Sequence, residues 1–238
     1  MLAMLLFVVT IGPAAGAQPL AVGAASPRPA ALLAARGIPE WTLTASLRAA
    51  TRVSWSPGGP TSFVLARRWH GARLTLPVLG RSPGWLHVRL PGRPNGSMGW
   101  IRLAAASLAR SPYVIVVNLA ARHLRLYDRG HRVLDAPAGI GTRQFPTPTG
   151  TFFVGLFAAA PSPAWGPFVI VTTAHSERIT DWESSGDALV AIHGPLGSDA
   201  QIGATGAAVS HGCVRLHVAD LKRLRVVGAG SLVLVVAR

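Results

Sequence analysis

The sequence predicts a mainly β protein built as two small domains, and three observations carry that reading. From residue 39 onward, short apolar runs of strand length alternate with Gly- and Pro-rich turn clusters. Runs such as "WLHVRL" and "HLRLYD" alternate with period two, which places successive side chains on opposite faces of a strand. Only "HVADLKRLRVV" shows good helical spacing, with Leu221, Leu224 and Val227 on one face. A chain of 238 residues is long enough to bury one large core or two small ones.

The elements follow in chain order. "MLAMLLFVVTIGPAAGAQPL" has an apolar stretch from Leu2 to Ile11, then Pro13 and small residues at Ala15 and Ala17. That pattern reads as a signal peptide over residues 1–17, although no Lys or Arg precedes the apolar stretch. The expected destination is the periplasm or cell wall, with the segment either removed or kept as a membrane tether. A buried N-terminal strand or helix is the alternative. Residues 18–38, rich in Ala and Pro, read as a linker.

Residues 39–106 hold five of the seven tryptophans: Trp41, Trp55, Trp69, Trp85 and Trp100. Here "SFVLA", "LTLPVLG", "WLHVRL" and "MGWIRL" alternate with the turns "SPGGP", "GRSPG" and "PGRPNGS". In so small a domain the tryptophans are expected to fill the core, with ligand stacking as the second reading. Pro112 interrupts the pattern and marks a boundary within "ARSPY". Beyond it, "YVIVVNL" reads as a buried strand, and "HLRLYD" and "HRVLDAPAGIG" join through "DRG" as a hairpin. "PFVIVTT", "ALVAIHG" and "GSLVLVVAR" are further strands of a domain over 112–238.

The formal net charge is +14, almost all from arginine, which favours anionic partners such as cell-wall polymers. No long basic run and no zinc-finger or RNA-binding signature accompanies it, so nucleic acid is not an expected partner. Arginine-rich coding is the bland explanation of the same charge.

Chemistry concentrates around the chain's one cysteine, in "SHGCVRL". An exported protein with one cysteine cannot form an internal disulfide, so a retained thiol points to use. The bland alternative is a buried cysteine acting as a small hydrophobe. A thiol attacks carbonyls as thiolate and needs a basic or cationic neighbour. His211 and His193 are the candidates; His193 ends an apolar strand in "AIHGP". Gly212 permits close approach of backbone, and the N–H groups of Gly212 and Cys213 could form an oxyanion hole. Arg215 offers a guanidinium to a substrate carboxylate.

"H-G", sixteen residues from Gly194 to Val209, then "S-H-G-C-V-R" resembles the active-site signature of L,D-transpeptidases, the peptidoglycan cross-linking enzymes. "YVIVVNLAARHLRLYDRG" resembles that family's opening hairpin, and "GIGTRQFPTPTGTFFV" its Thr-Pro-Thr-Gly segment. The similarity covers residues 112–238. "GWLHVRLPGRPNGSMGWIRLAAA" resembles the end of a bacterial SH3-like module. The resemblance implies a small SH3-like β-barrel followed by a β-sandwich-like catalytic domain with one or two short helices.

It further implies that Cys213 is the nucleophile, that His193 is the general base or the imidazolium partner of a thiolate, and that His211 lines the site. Ser210, Gly212, Arg215 and Gly194 complete the substrate-binding and oxyanion set. Pro195 stands where the family more often has Thr. The implied reaction is acyl transfer from a peptidoglycan stem tetrapeptide, with loss of D-alanine and a 3→3 cross-link to a neighbouring stem. No cofactor and no metal is implied. L,D-carboxypeptidase action with water, and a non-catalytic wall-binding protein, are the alternatives. A zinc site of His193, His211 and Cys213 is a poorer reading, because His-x-Cys is a poor ligand spacing. Trp165 and Trp182 either flank the cleft or pack in the core. His70, His87, His123, His131, His175 and His217 read as surface or packing residues.

Overall fold

A computed structural model describes residues 37–238. The signal-peptide reading and nearly all of the linker reading lie outside the described residues. Among the described residues, no helix is long and apolar enough to cross a membrane.

Nine strands precede Pro112: β1 (Thr42–Leu47), β2 (Thr51–Val53), β3 (Phe63–Leu65), β4 (Arg68–Trp69), β5 (Ala72–Arg73), β6 (Thr75–Ser82), β7 (Trp85–Arg89), β8 (Met98–Arg102) and β9 (Ala106–Ser111). Five of them form an antiparallel sheet in the order β8-β7-β6-β1-β9, while β2–β3 and β4–β5 are separate two-stranded ribbons. Because β9 pairs with β1 along its whole length, the first sheet runs to Ser111, five residues beyond the boundary expected at 106.

The first core is aliphatic. Ala45, Leu47, Val53, Leu74, Leu76, Leu86, Val88 and Ile101 are fully buried or nearly so. The tryptophans do not fill it, contrary to expectation: Trp41 and Trp55 are exposed, Trp85 lies under the Arg102 guanidinium, and Trp100 stacks on His87. Period-two geometry is the reason. In "WLHVRL" the inward positions are Leu86 and Val88, so Trp85 and His87 share the outward face. Only Trp69 packs against the core from its edge.

After Pro112 come β10 (Tyr113–Asn118), β11 (His123–Asp128), β12 (His131–Pro137), β13 (Gly139–Gly141), β14 (Gly150–Ala158), β15 (Val169–His175), β16 (Leu189–His193), helix α1 (Asp199–Ile202), β17 (Ala207–Ser210), β18 (Val214–Arg215), helix α2 (Val218–Arg223) and β19 (Leu232–Val236). The expected antiparallel pairing of β10, β11 and β12 is present. So is the helix, which ends in a 3-10 turn over Leu224–Val226.

The domain expected to be β-sandwich-like is one continuous ten-stranded sheet, in the order β12-β11-β10-β19-β14-β15-β16-β18-β13-β17. Leu134 and Ala136 from one end share a single core cluster with Ile140 and Val214 from the other, so the sheet curls around that core. The pairing of β14 with β15 carries a register shift between Val154 and Leu156, the kind of irregularity that bends a strand. Three pairings are parallel: β10 with β19, β16 with β18, and β13 with β17. Phe153 of β14 is fully buried in the first domain's core, which locks the two sheets together.

Candidate active site

The site is assembled by β16 and β18, which lie side by side and parallel, with Ile192 opposite Val214 and His193 opposite Arg215. Val190, Ile192, Val214 and Leu216 face the buried core. By alternation, Ala191, His193, Cys213 and Arg215 face the other way, onto a common surface. Continuing the register puts Cys213 beside Ala191, and the Ala191 N–H donates to Cys213 Sγ at 3.4 Å. With ordinary strand spacings, the backbones at His193 and Cys213 are then about 8 Å apart, close enough for their side chains to converge.

His193 is 1% exposed. Its Nδ1 donates to the Gly194 carbonyl at 2.8 Å, which fixes the tautomer and leaves the Nε2 lone pair free. The Trp165 ring covers it, 4.3 Å away between centroids. Burial lowers the imidazole pKa to about 4; the Gly194 hydrogen bond opposes the shift and the Arg215 charge adds to it. Burial likewise pushes the Cys213 thiol above its ordinary value, and neither the Ala191 N–H nor the Arg215 charge reverses this. At neutral pH the unliganded pair is therefore thiol and neutral imidazole. A neutral imidazole with a free Nε2 lone pair is able to accept a proton.

The SHGC turn is held from three sides. Gly212 has φ +121°, a region that side-chain-bearing residues rarely adopt. Its carbonyl accepts from Thr147 Oγ1 at 2.8 Å, and the same oxygen of Thr147 accepts the Gly141 N–H at 2.9 Å. Ser210 Oγ donates to the Cys213 carbonyl at 2.6 Å and accepts the Gly212 N–H at 3.1 Å. This corrects the expectation for Gly212, because its N–H is engaged inside the turn. The Cys213 N–H is left as the expected oxyanion donor. Ser210 is buried and acts as the turn's brace.

Gly194 is also corrected. Its N–H donates to the Trp165 carbonyl at 2.7 Å, so it is not free for a substrate. A Cβ at this position would lie 2.7 Å from the Trp165 carbonyl carbon, so glycine is needed for the Trp165 loop to seat over His193. His211 is exposed at the mouth, with its ring 4.8 Å from Phe145 and 5.9 Å from Trp182. Arg215 reaches Ser198 Oγ at 3.4 Å, while its Nε is buried without a partner. Trp165 and Trp182 both belong to the site, one as roof and one at the rim.

Sequence reasoning missed Thr147 as the pin of the turn, Ala191 as donor to sulfur, and His175 as a buried bridge. Thr147 opens the quoted Thr-Pro-Thr-Gly segment, which was the available signal; Ala191 gave none. Among the described residues, no group of three His, Cys, Asp or Glu side chains could hold a metal ion.

Residues 112–228 match the family model described as YkuD, the L,D-transpeptidase catalytic domain. A protein of Bacillus licheniformis described as an L,D-transpeptidase, YkuD, is 34% identical over 113 residues, which are 48% of this chain and 58% of that protein. This chain thus spans 58% of that relative's length. Among solved structures, an L,D-transpeptidase from Mycobacterium smegmatis is 20% identical, with 67% of this chain and 80% of that one covered and a TM-score of 0.39. L,D-transpeptidase 3 from Mycobacterium tuberculosis, solved with a faropenem-derived adduct, is 16% identical, with 60% and 75% covered and a TM-score of 0.41. Residues 112–228, which include His193 and Cys213, are thus similar to the L,D-transpeptidase catalytic domain described as YkuD.

Proposed function

We propose that the protein is an exported peptidoglycan L,D-transpeptidase in which Cys213 carries the acyl group. The observation that carries this reading is the β16/β18 register, which turns the only sulfur nucleophile and a neutral, tautomer-fixed imidazole onto one surface. His193 Nε2 takes the Cys213 proton as Sγ attacks the carbonyl of the third residue of a stem tetrapeptide. The Cys213 N–H faces the developing oxyanion. The tetrahedral intermediate collapses, the carbon–nitrogen bond to the terminal D-alanine breaks, and the His193 proton leaves with the amine. A thioester remains. An amine of a neighbouring stem then attacks it, giving a 3→3 cross-link and restoring the thiol; water in its place gives carboxypeptidase action through the same residues.

Arg215, with its buried and unpartnered Nε, is the group that holds a substrate carboxylate. No step needs a metal. In this reading the first sheet is an SH3-like module, and the +14 charge draws the protein to anionic wall polymers.

Cys213→Ala should abolish D-alanine release from a disaccharide tetrapeptide, and mass spectrometry should find a carbapenem adduct on Cys213 of the unaltered protein. Retained turnover in the variant would refute the nucleophile assignment. Supplying an amine acceptor separates transfer from hydrolysis, and an unmodified, inactive protein would favour a wall-binding role.

A further inference from the structure

The loop between β15 and β16 carries Trp182 to the rim of the site, and its base is gripped by the other domain. Asp187 is the hub. Its Oδ1 accepts from Arg93 Nε at 3.1 Å, from Arg93 Nη2 at 2.9 Å and from the Ala188 N–H at 2.8 Å. Its Oδ2 meets His175 Nδ1 at 2.6 Å. Its backbone carbonyl accepts the Trp182 N–H at 3.0 Å and the Ser185 hydroxyl at 2.6 Å. The residue that fixes the backbone of Trp182 is therefore the residue held by Arg93.

Arg93 belongs to the loop between β7 and β8 of the first sheet. Its Nη2 also donates to the carbonyl of Ser176 at 3.0 Å. Asn95 of the same loop clamps the end of β15 from both sides: its Nδ2 donates to the His175 carbonyl at 2.8 Å, and its Oδ1 accepts the His175 N–H at 2.9 Å. His175 is 3% exposed and spans the two domains, with Nε2 at 2.7 Å from the Pro91 carbonyl.

Surface ion pairs contribute little by themselves. This one differs in that two guanidinium nitrogens converge on one carboxylate oxygen while the other oxygen meets a buried imidazole, and a two-way amide clamp flanks it, so its members order one another. The outer loop from Glu177 to Gly186 is otherwise mostly exposed, which leaves the grip at its base to decide where Trp182 sits.

We propose that Arg93, with Asn95, is a positioning residue of the active site: by holding Asp187 from the first domain, it keeps Trp182 beside His211 and so sets the entrance to Cys213. The effect on turnover rests on the transpeptidase reading; the effect on access to the thiol does not.

The test uses the full chain and compares Arg93→Ala, Arg93→Lys and Asp187→Asn with the parent. Iodoacetamide alkylation of Cys213, followed by intact mass, should quicken severalfold in Arg93→Ala. Acrylamide quenching of Trp182, taken as the difference from a matched Trp182→Phe protein, should rise with it. In the tetrapeptide assay the loss should fall on KM rather than kcat. Arg93→Lys, which retains charge but not the fork, should lie between. A merely structural role lowers the thermal midpoint without moving Trp182 quenching, and that result, or alkylation unchanged in Arg93→Ala, overturns the proposal. If Arg93→Ala does not fold, Arg93→Lys and Asp187→Asn carry the same comparison. Altered alkylation in a protein that never releases D-alanine sinks the transpeptidase reading and leaves this one standing.

Discussion

Taking the protein from pH 7 to pH 5 puts the buried, uncharged state of His193 under strain. Its folded pKa is about 4 against an ordinary 6.5, so between those values the unfolded chain binds a proton that the folded chain refuses. The folded pKa is depressed, so stability is lost as pH falls from 6.5 and the loss levels off below 4. Linkage over those two pKa values gives a loss of about 2 kcal/mol between pH 7 and pH 5. The group is almost wholly buried, so solvent screening does not reduce the figure. The comparison protein is His193→Asn, because the asparagine amide can replace Nδ1 as donor to the Gly194 carbonyl and does not titrate. Urea unfolding of both proteins at the two pH values isolates the His193 share. Other groups, including His217 with its raised pKa from the Gly203 carbonyl and Asp199, act alike in both and cancel. The parent should lose about 2 kcal/mol more than the variant over this interval. Equal losses would show that His193 is not held neutral by burial, and the general-base assignment would lose its physical ground.

Two further outcomes follow from the packing. Thr147→Val keeps the shape but leaves the Gly141 N–H and Gly212 carbonyl unpaired, both in buried surroundings; it should cost roughly 2–4 kcal/mol in urea unfolding and slow acylation of Cys213, while Thr147→Ser should restore both. Gly194→Ala drives a methyl group into the Trp165 and Gly166 backbones, which cannot rotate away; it should cost about 2 kcal/mol or more by thermal melting and raise the His193 pKa, read by NMR, as the Trp165 roof lifts. A variant that melts like the parent would mean that this loop is not seated as described.

Much of the second domain was legible because its signals are local. β-branched runs and period-two alternation in "YVIVVNL" and "HLRLYD", and helical spacing after His217, mark elements wherever the chain later packs them. The SHGC motif likewise drew attention to the chain's one cysteine and to the histidines that could serve it. The tryptophans misled because residue size speaks for burial only when the alternation turns the side chain inward, and in "WLHVRL" it turned Leu86 and Val88 inward instead.

From its residues alone the chain determined a β protein with one thiol, a histidine at a strand end, and the small turn-forming residues that surround them. Only the folded structure decided that two short strands run parallel, so that His193 and Cys213 share a surface. It also decided that Trp165 buries the imidazole into neutrality, that Ser210 takes up the Gly212 N–H, and that Arg93 reaches across from the other domain. The reason is physical: strand and turn propensities act over a few neighbours, whereas protonation, hydrogen-bond partners and entrance geometry depend on which distant segments meet and how much water they exclude.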